Sequence, residues 1–75
     1  MDFRRKLKWF KEEFMTNFGI PHPNIEYTEK DKQLFRILMN KLSETINQYE
    51  HEPLLFELVE LLRELERIYD GYLYF

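Results

Sequence analysis

The sequence predicts an all-α fold: a three-helix domain made of helix 2–18 and an antiparallel hairpin of helices 28–51 and 53–70. Three observations predict it. Pro53–Tyr69, PLLFELVELLRELERIY, places Leu54, Leu55, Leu58, Leu61, Leu62, Leu65, Ile68 and Tyr69 in one arc of about 140° on a helical wheel, wider than a surface helix needs. Phe3, Leu7, Phe10, Phe14 and Phe18 recur at helical spacing within a narrower arc of about 80°. The two glycines, Gly19 and Gly71, each stand just past a helical pattern, where a left-handed residue ends a helix.

Helix 2–18 carries a narrow, aromatic stripe, which suits a helix lying in one groove. Arg4, Lys8 and Lys11 sit beside the stripe as a basic face, and Trp9 points away from it, among Asp2, Arg5 and Glu13. The connector 19–27, GIPHPNIEY, follows. Pro21 and Pro23 hold its backbone extended and disfavour helix at Ile20 and His22. Ile20, Ile25 and Tyr27 are expected to pack it onto the bundle.

Thr28 opens the second helix, with Asp31 in the Glu position of a capping box and acidic residues in the first turn to suit the helix dipole. Leu34, Phe35, Leu38, Met39, Leu42, Ile46 and Tyr49 form its apolar arc, and Ile37 lies outside it. Glu50-His51-Glu52-Pro53 is the expected turn, because proline disfavours helix at Glu52 and clashes with the Tyr49 carbonyl in a continuous helix. The competing reading is one kinked helix from Thr28 to Asp70, since Phe35, Leu42, Tyr49 and Phe56 keep a seven-residue spacing across the proline.

In helix 53–70, Pro53 suits the first helical position. Two overlapping seams, 55-58-62-65-69 and 54-58-61-65-68, call for two neighbouring helices. The outer half carries Glu57, Glu60, Arg63, Glu64, Glu66, Arg67 and Asp70, interrupted by Phe56 and Val59. In the aromatic tail 71–75, GYLYF, Tyr72 and Leu73 are expected to fold back on the end of the bundle. The alternative is a docking peptide that includes Tyr74 and Phe75, or a strand that pairs with a second copy.

Residues 1–75 make one domain. A chain this short buries only about 60% of its unfolded surface, so it depends on dense packing, self-association or both. With no cysteine there is no disulfide and no thiolate metal site, and 44% hydrophobic residues, 17% aromatic, are too many for a disordered chain. The net charge of −3 is divided unevenly. Residues 1–20 hold five basic and three acidic side chains, and residues 21–75 six and eleven, so the first helix and the remainder attract each other within one fold. No apolar run approaches the ~18 residues of a membrane span. The basic start lacks the apolar core and cleavage site of a secretory leader. A cytoplasmic protein is expected.

Little points to catalysis. His51 lies between Glu50 and Glu52, consecutive positions that do not converge on a metal, and His22 lies between two prolines. Ser43 and Thr45 have no histidine at a reachable spacing, and no glycine-rich phosphate loop is present. No catalytic, cofactor-binding or metal-ligating residue is expected.

Association with protein fits the surplus of apolar positions better. Trp9, Met15, Ile37, Phe56 and Val59 lie off their own core stripes, and Tyr72, Tyr74 and Phe75 add the tail. The expectation is a non-enzymatic, self-associating module. In its homodimer, two hairpins pair as a four-helix bundle with the first helices outside. A further protein partner would suit an inhibitor, antitoxin, immunity or regulatory role, by analogy with other small acidic helical proteins. One alternative anchors the basic aromatic helix 2–18 at a membrane surface, weakened by Glu12 and Glu13. A second is a nucleic-acid-associated regulator using Arg4, Lys8 and Lys11, which the acidic balance disfavours.

Overall fold

The computed structural model describes residues 3–53 and 55–73. It contains three helices, α1 (Phe3–Phe18), α2 (Glu29–Gln48) and α3 (Leu55–Tyr69), with no strand among the described residues. Aromatic contacts fix their directions. Phe3 meets Tyr49 while Phe14 and Phe18 meet Phe35, so α1 runs antiparallel to α2. Phe35 also meets Tyr69, so α2 runs antiparallel to α3. The result is an up-down-up bundle, and of the two readings of residues 28–70 the hairpin is the one that forms.

The helix ends follow local chemistry. Thr28 is the N-cap of α2 rather than its first residue: its side chain accepts from the Asp31 N–H at 3.2 Å, and its own N–H donates to the Asp31 carboxylate at 2.9 Å. α2 stops at Gln48, short of the expected 51. The Tyr49 N–H is shared between the Thr45 and Ile46 carbonyls, and tight turns from Glu52 to Tyr49 and from Leu55 to Glu52 carry the chain across. Pro53 therefore lies in the turn and not in the first helical position. Successive four-residue turns, 49–52 and 52–55, reverse the chain there, and the missing N–H of Pro53 costs nothing at that position. Asp2 and Leu54, expected in helices, lie outside the described residues.

Gly19 (φ 62°) and Gly71 (φ 81°) adopt the left-handed conformation that ends α1 and α3. Beyond Gly71, the N–H groups of Tyr72 and Leu73 both donate to the Tyr69 carbonyl at 3.0 Å. Leu73 is thereby folded into the core, as expected of a tail that covers the bundle end, and Tyr72 is half-buried. Tyr74 and Phe75 lie outside the described residues.

The core closes within one chain. α1 contributes its whole stripe, Phe3, Leu7, Phe10, Phe14 and Phe18. α2 contributes Phe35, Leu38, Met39 and Leu42, and α3 contributes Leu58, Leu61, Leu65 and Tyr69. α3 packs against both other helices, which shelters its two seams. The aromatic density is greatest at one end, where Phe14, Phe18 and Tyr69 surround Phe35 at centroid distances of 5.4–5.7 Å, largely edge-to-face. The radius of gyration, 12.7 Å, exceeds the ~11 Å of an equally long compact chain, and the extents of 40 × 18 × 18 Å describe a rod. A rod this slender offers long inter-helix grooves. No helix among the described residues is long and apolar enough to cross a membrane.

Candidate binding surfaces

Three grooves run along the rod, one between each pair of helices. The groove between α1 and α3 is lined by Leu7, Lys11, Phe56, Glu57, Glu60, Leu61 and Glu64. Here Lys11 of the basic face shares a groove with Glu57, Glu60 and Glu64 of α3. Lys8 is taken up along α1, 3.8 Å from Glu12. Arg4, the third member of the basic face, is exposed but has interactions of its own. The ion pairs seen among the described residues are all local, between residues one to four apart, and none joins α1 to α3.

The groove between α2 and α3 is the one through which two hairpins would pair. It is lined by Arg36, Asn40, Ser43 and Glu66 around Phe35, Met39 and Leu62. Four polar side chains stand at its mouth, and pairing two hairpins along it would take them out of water.

The groove between α1 and α2 has a different character. Arg5, Lys6, Trp9, Phe10 and Lys41 line a cleft of about 440 Å³. The Trp9 ring stands edge-to-face on Phe10 at 5.0 Å, and the Lys41 ammonium lies 4.9 Å from the Trp9 ring centroid, a cation–π contact. Sequence reasoning placed Trp9 among Asp2, Arg5 and Glu13 and did not bring Lys41 to it, because that neighbour depends on how α1 and α2 are registered.

The off-stripe apolar residues do not form one patch. Trp9, 38% exposed, lies in the α1–α2 cleft, and Phe56, 68% exposed, lies beside the α1–α3 groove with half-buried Val59 one turn further along α3. Met15 is exposed on α1, one turn past Lys11. Ile37 is exposed on α2, one turn before Lys41. Ile20, expected to hold the connector down, is exposed instead. The positive φ of Gly19 turns the chain and Pro21 holds it extended, leaving the packing to Tyr27 and half-buried Ile25.

Two tyrosine hydroxyls finish α1. Tyr69 donates to the Gly19 carbonyl at 2.7 Å, and Tyr27 donates to the Phe18 carbonyl at 2.7 Å. Carbonyls in the last turn of a helix lack intrahelical partners, and α1 has no basic side chain there to help. Burial pushes the Tyr69 hydroxyl up to about 12, with a smaller push from Tyr27. Burial, then the Asp31 carboxylate, then Tyr72 raise that of Tyr27. Both are structural donors rather than acids poised for proton transfer.

The remaining chemistry-bearing groups stand apart. His51 is almost fully exposed, 3.3 Å from Glu50, and the His22 Nδ1 accepts from the Asn24 N–H. The Thr45 hydroxyl donates to the Lys41 carbonyl at 2.8 Å. Among the described residues no three His, Asp or Glu side chains are grouped closely enough to hold a metal ion. The phenylalanines on which a membrane-surface role would rest are inside the core. Comparison of the chain with protein-family models, with curated proteins and with solved structures gives no match.

Proposed function

We propose that this protein is a non-enzymatic interaction module that self-associates through the outer surface of α3 around Phe56. The observation that carries the reading is the exposure of Phe56, 68%, beside a core already closed without it. Folding the single chain does not require a phenylalanine there. Exposed aromatic side chains are the usual anchors of protein contacts. Val59 extends the apolar surface by one turn. Glu60 and Arg63, 3.9 Å apart, give the rim both signs of charge, which a two-fold contact between identical surfaces can use. The polar α2–α3 groove favours this location over pairing of the hairpins along that seam.

Sedimentation or light scattering tests the reading. At micromolar concentration the protein is expected to be a dimer, and Phe56→Glu is expected to sediment as a monomer with unchanged helical circular dichroism. A wild-type chain that is folded and monomeric at that concentration removes the self-association.

A further inference from the structure

Arg5, Lys6 and Lys41 ring the cleft between α1 and α2, whose wall is the indole of Trp9 and whose floor is the buried ring of Phe10. From this arrangement we infer that the cleft receives a short acidic segment of a partner protein that carries one apolar or aromatic side chain. The inference deepens the interaction-module reading but rests on a different surface from Phe56.

Charge complementarity selects the occupant. Lys8, Lys32, Arg63 and Arg67 each have a carboxylate within 4.0 Å in this chain. Among the described residues no carboxylate makes an ion pair with Arg5, Lys6 or Lys41. Three such cations gather on one cleft of a chain whose net charge is −3. Glu44, the acidic residue nearest Lys41 along α2, does not pair with it, and the Glu13 carboxylate is held by Asn17 at 3.1 Å. Carboxylates entering the cleft would meet cations that need not give up a carboxylate of this chain, with Lys41 already held over the Trp9 ring.

The aromatic wall selects the second feature. Trp9 is braced from two sides, by Phe10 and by Lys41, so its exposed edge is presented in a fixed orientation and little side-chain freedom is lost when a ligand covers it. An apolar side chain laid on Trp9, with flanking acids over Arg5, Lys6 and Lys41, combines the two residue types that most often dominate protein contacts, Trp and Arg.

The extent of the site argues for a short peptide over a long polyanion. Nucleic acid needs a track of cations along successive phosphates. Here further cations of α1 are met by acidic residues, Lys8 by Glu12 and Lys11 by the groove it shares with Glu57, Glu60 and Glu64, and Glu44 lies one turn past Lys41.

Trp9 is the single tryptophan, so its fluorescence reports on this site alone. The probe is a synthetic peptide of glutamates around one central phenylalanine, beside a counterpart with lysine for glutamate. The glutamate peptide is expected to change Trp9 emission saturably, and the change should be suppressed at about 1 M salt, where the screening length is about 3 Å. The lysine peptide should leave the emission unchanged. With a labelled glutamate peptide read by anisotropy, Arg5→Glu and Lys41→Gln should each weaken binding by about tenfold, the size expected for a lost charge contact, and Lys30→Glu, outside the cleft, should not. Circular dichroism checks that each variant is folded.

The inference is overturned by a flat titration at low salt, by equal binding of both peptides, or by tighter binding of a single-stranded oligonucleotide or of phosphatidylserine vesicles. A dimer that ignores the peptide removes the cleft and leaves Phe56. A monomer that binds the peptide does the reverse.

Discussion

The hydroxyl of Tyr69 reaches the Gly19 carbonyl from inside an aromatic ring of side chains, and its bond at 2.7 Å joins residues fifty apart in sequence. Tyr69→Phe keeps the ring and deletes the donor to the Gly19 carbonyl. The expected cost is about 1–3 kcal/mol of unfolding free energy, measured by urea denaturation. The same side chain gives an alkaline signature. Its folded-state value is raised from 10.0 to about 12, so the unfolded chain loses this proton first as the pH rises. The contribution of Tyr69 is whole below pH 10 and is lost as the pH climbs through about 12. Denaturation of wild type and Tyr69→Phe across that window should converge. At this scale the sequence was only partly legible. Tyr69 was readable as an apolar seam position, but nothing local shows that its hydroxyl reaches Gly19.

The elements were the most legible, and for a physical reason: their signals lie within one or two helical turns. The Phe3–Phe18 stripe, the Thr28–Asp31 cap and the two glycine stops can be read without knowing any other helix, and α1, α2 and α3 follow them closely. Pro53 was less readable, because proline fits both a first helical position and a tight turn, and the turn bonds around Glu52 decided between them. The cap is the natural element-scale test. Thr28→Ala removes the acceptor for the Asp31 N–H and is expected to cost about 1 kcal/mol. In a domain of this size that lowers the melting temperature by ~4–8 °C. Thr28→Ser should restore most of it, since a serine hydroxyl caps as well.

At the scale of the whole molecule, what the sequence hides is register. Trp9 and Lys41 become neighbours only once α1 is set antiparallel to α2, and Phe56 is separated from Trp9 by the body of α1. A list of off-stripe apolar residues therefore named members of two surfaces without dividing them. The division has an experimental counterpart. Phe56→Glu should abolish dimerisation and spare peptide binding at the α1–α2 cleft, while Lys41→Gln should weaken peptide binding and spare the dimer. A single chain with both substitutions should show both effects and still have wild-type helicity.

The bond from Tyr27 to the Phe18 carbonyl spans only nine residues, and it folds the connector back over the end of α1. An exchange of α1 between two copies, each lending it to the other, is the arrangement this clasp opposes. Every core contact would survive the trade, but the connector would have to open and this clasp would be lost in both copies. Tyr27→Phe should accordingly release an interlocked dimer, one that persists in Phe56→Glu and separates only as fast as the chains unfold.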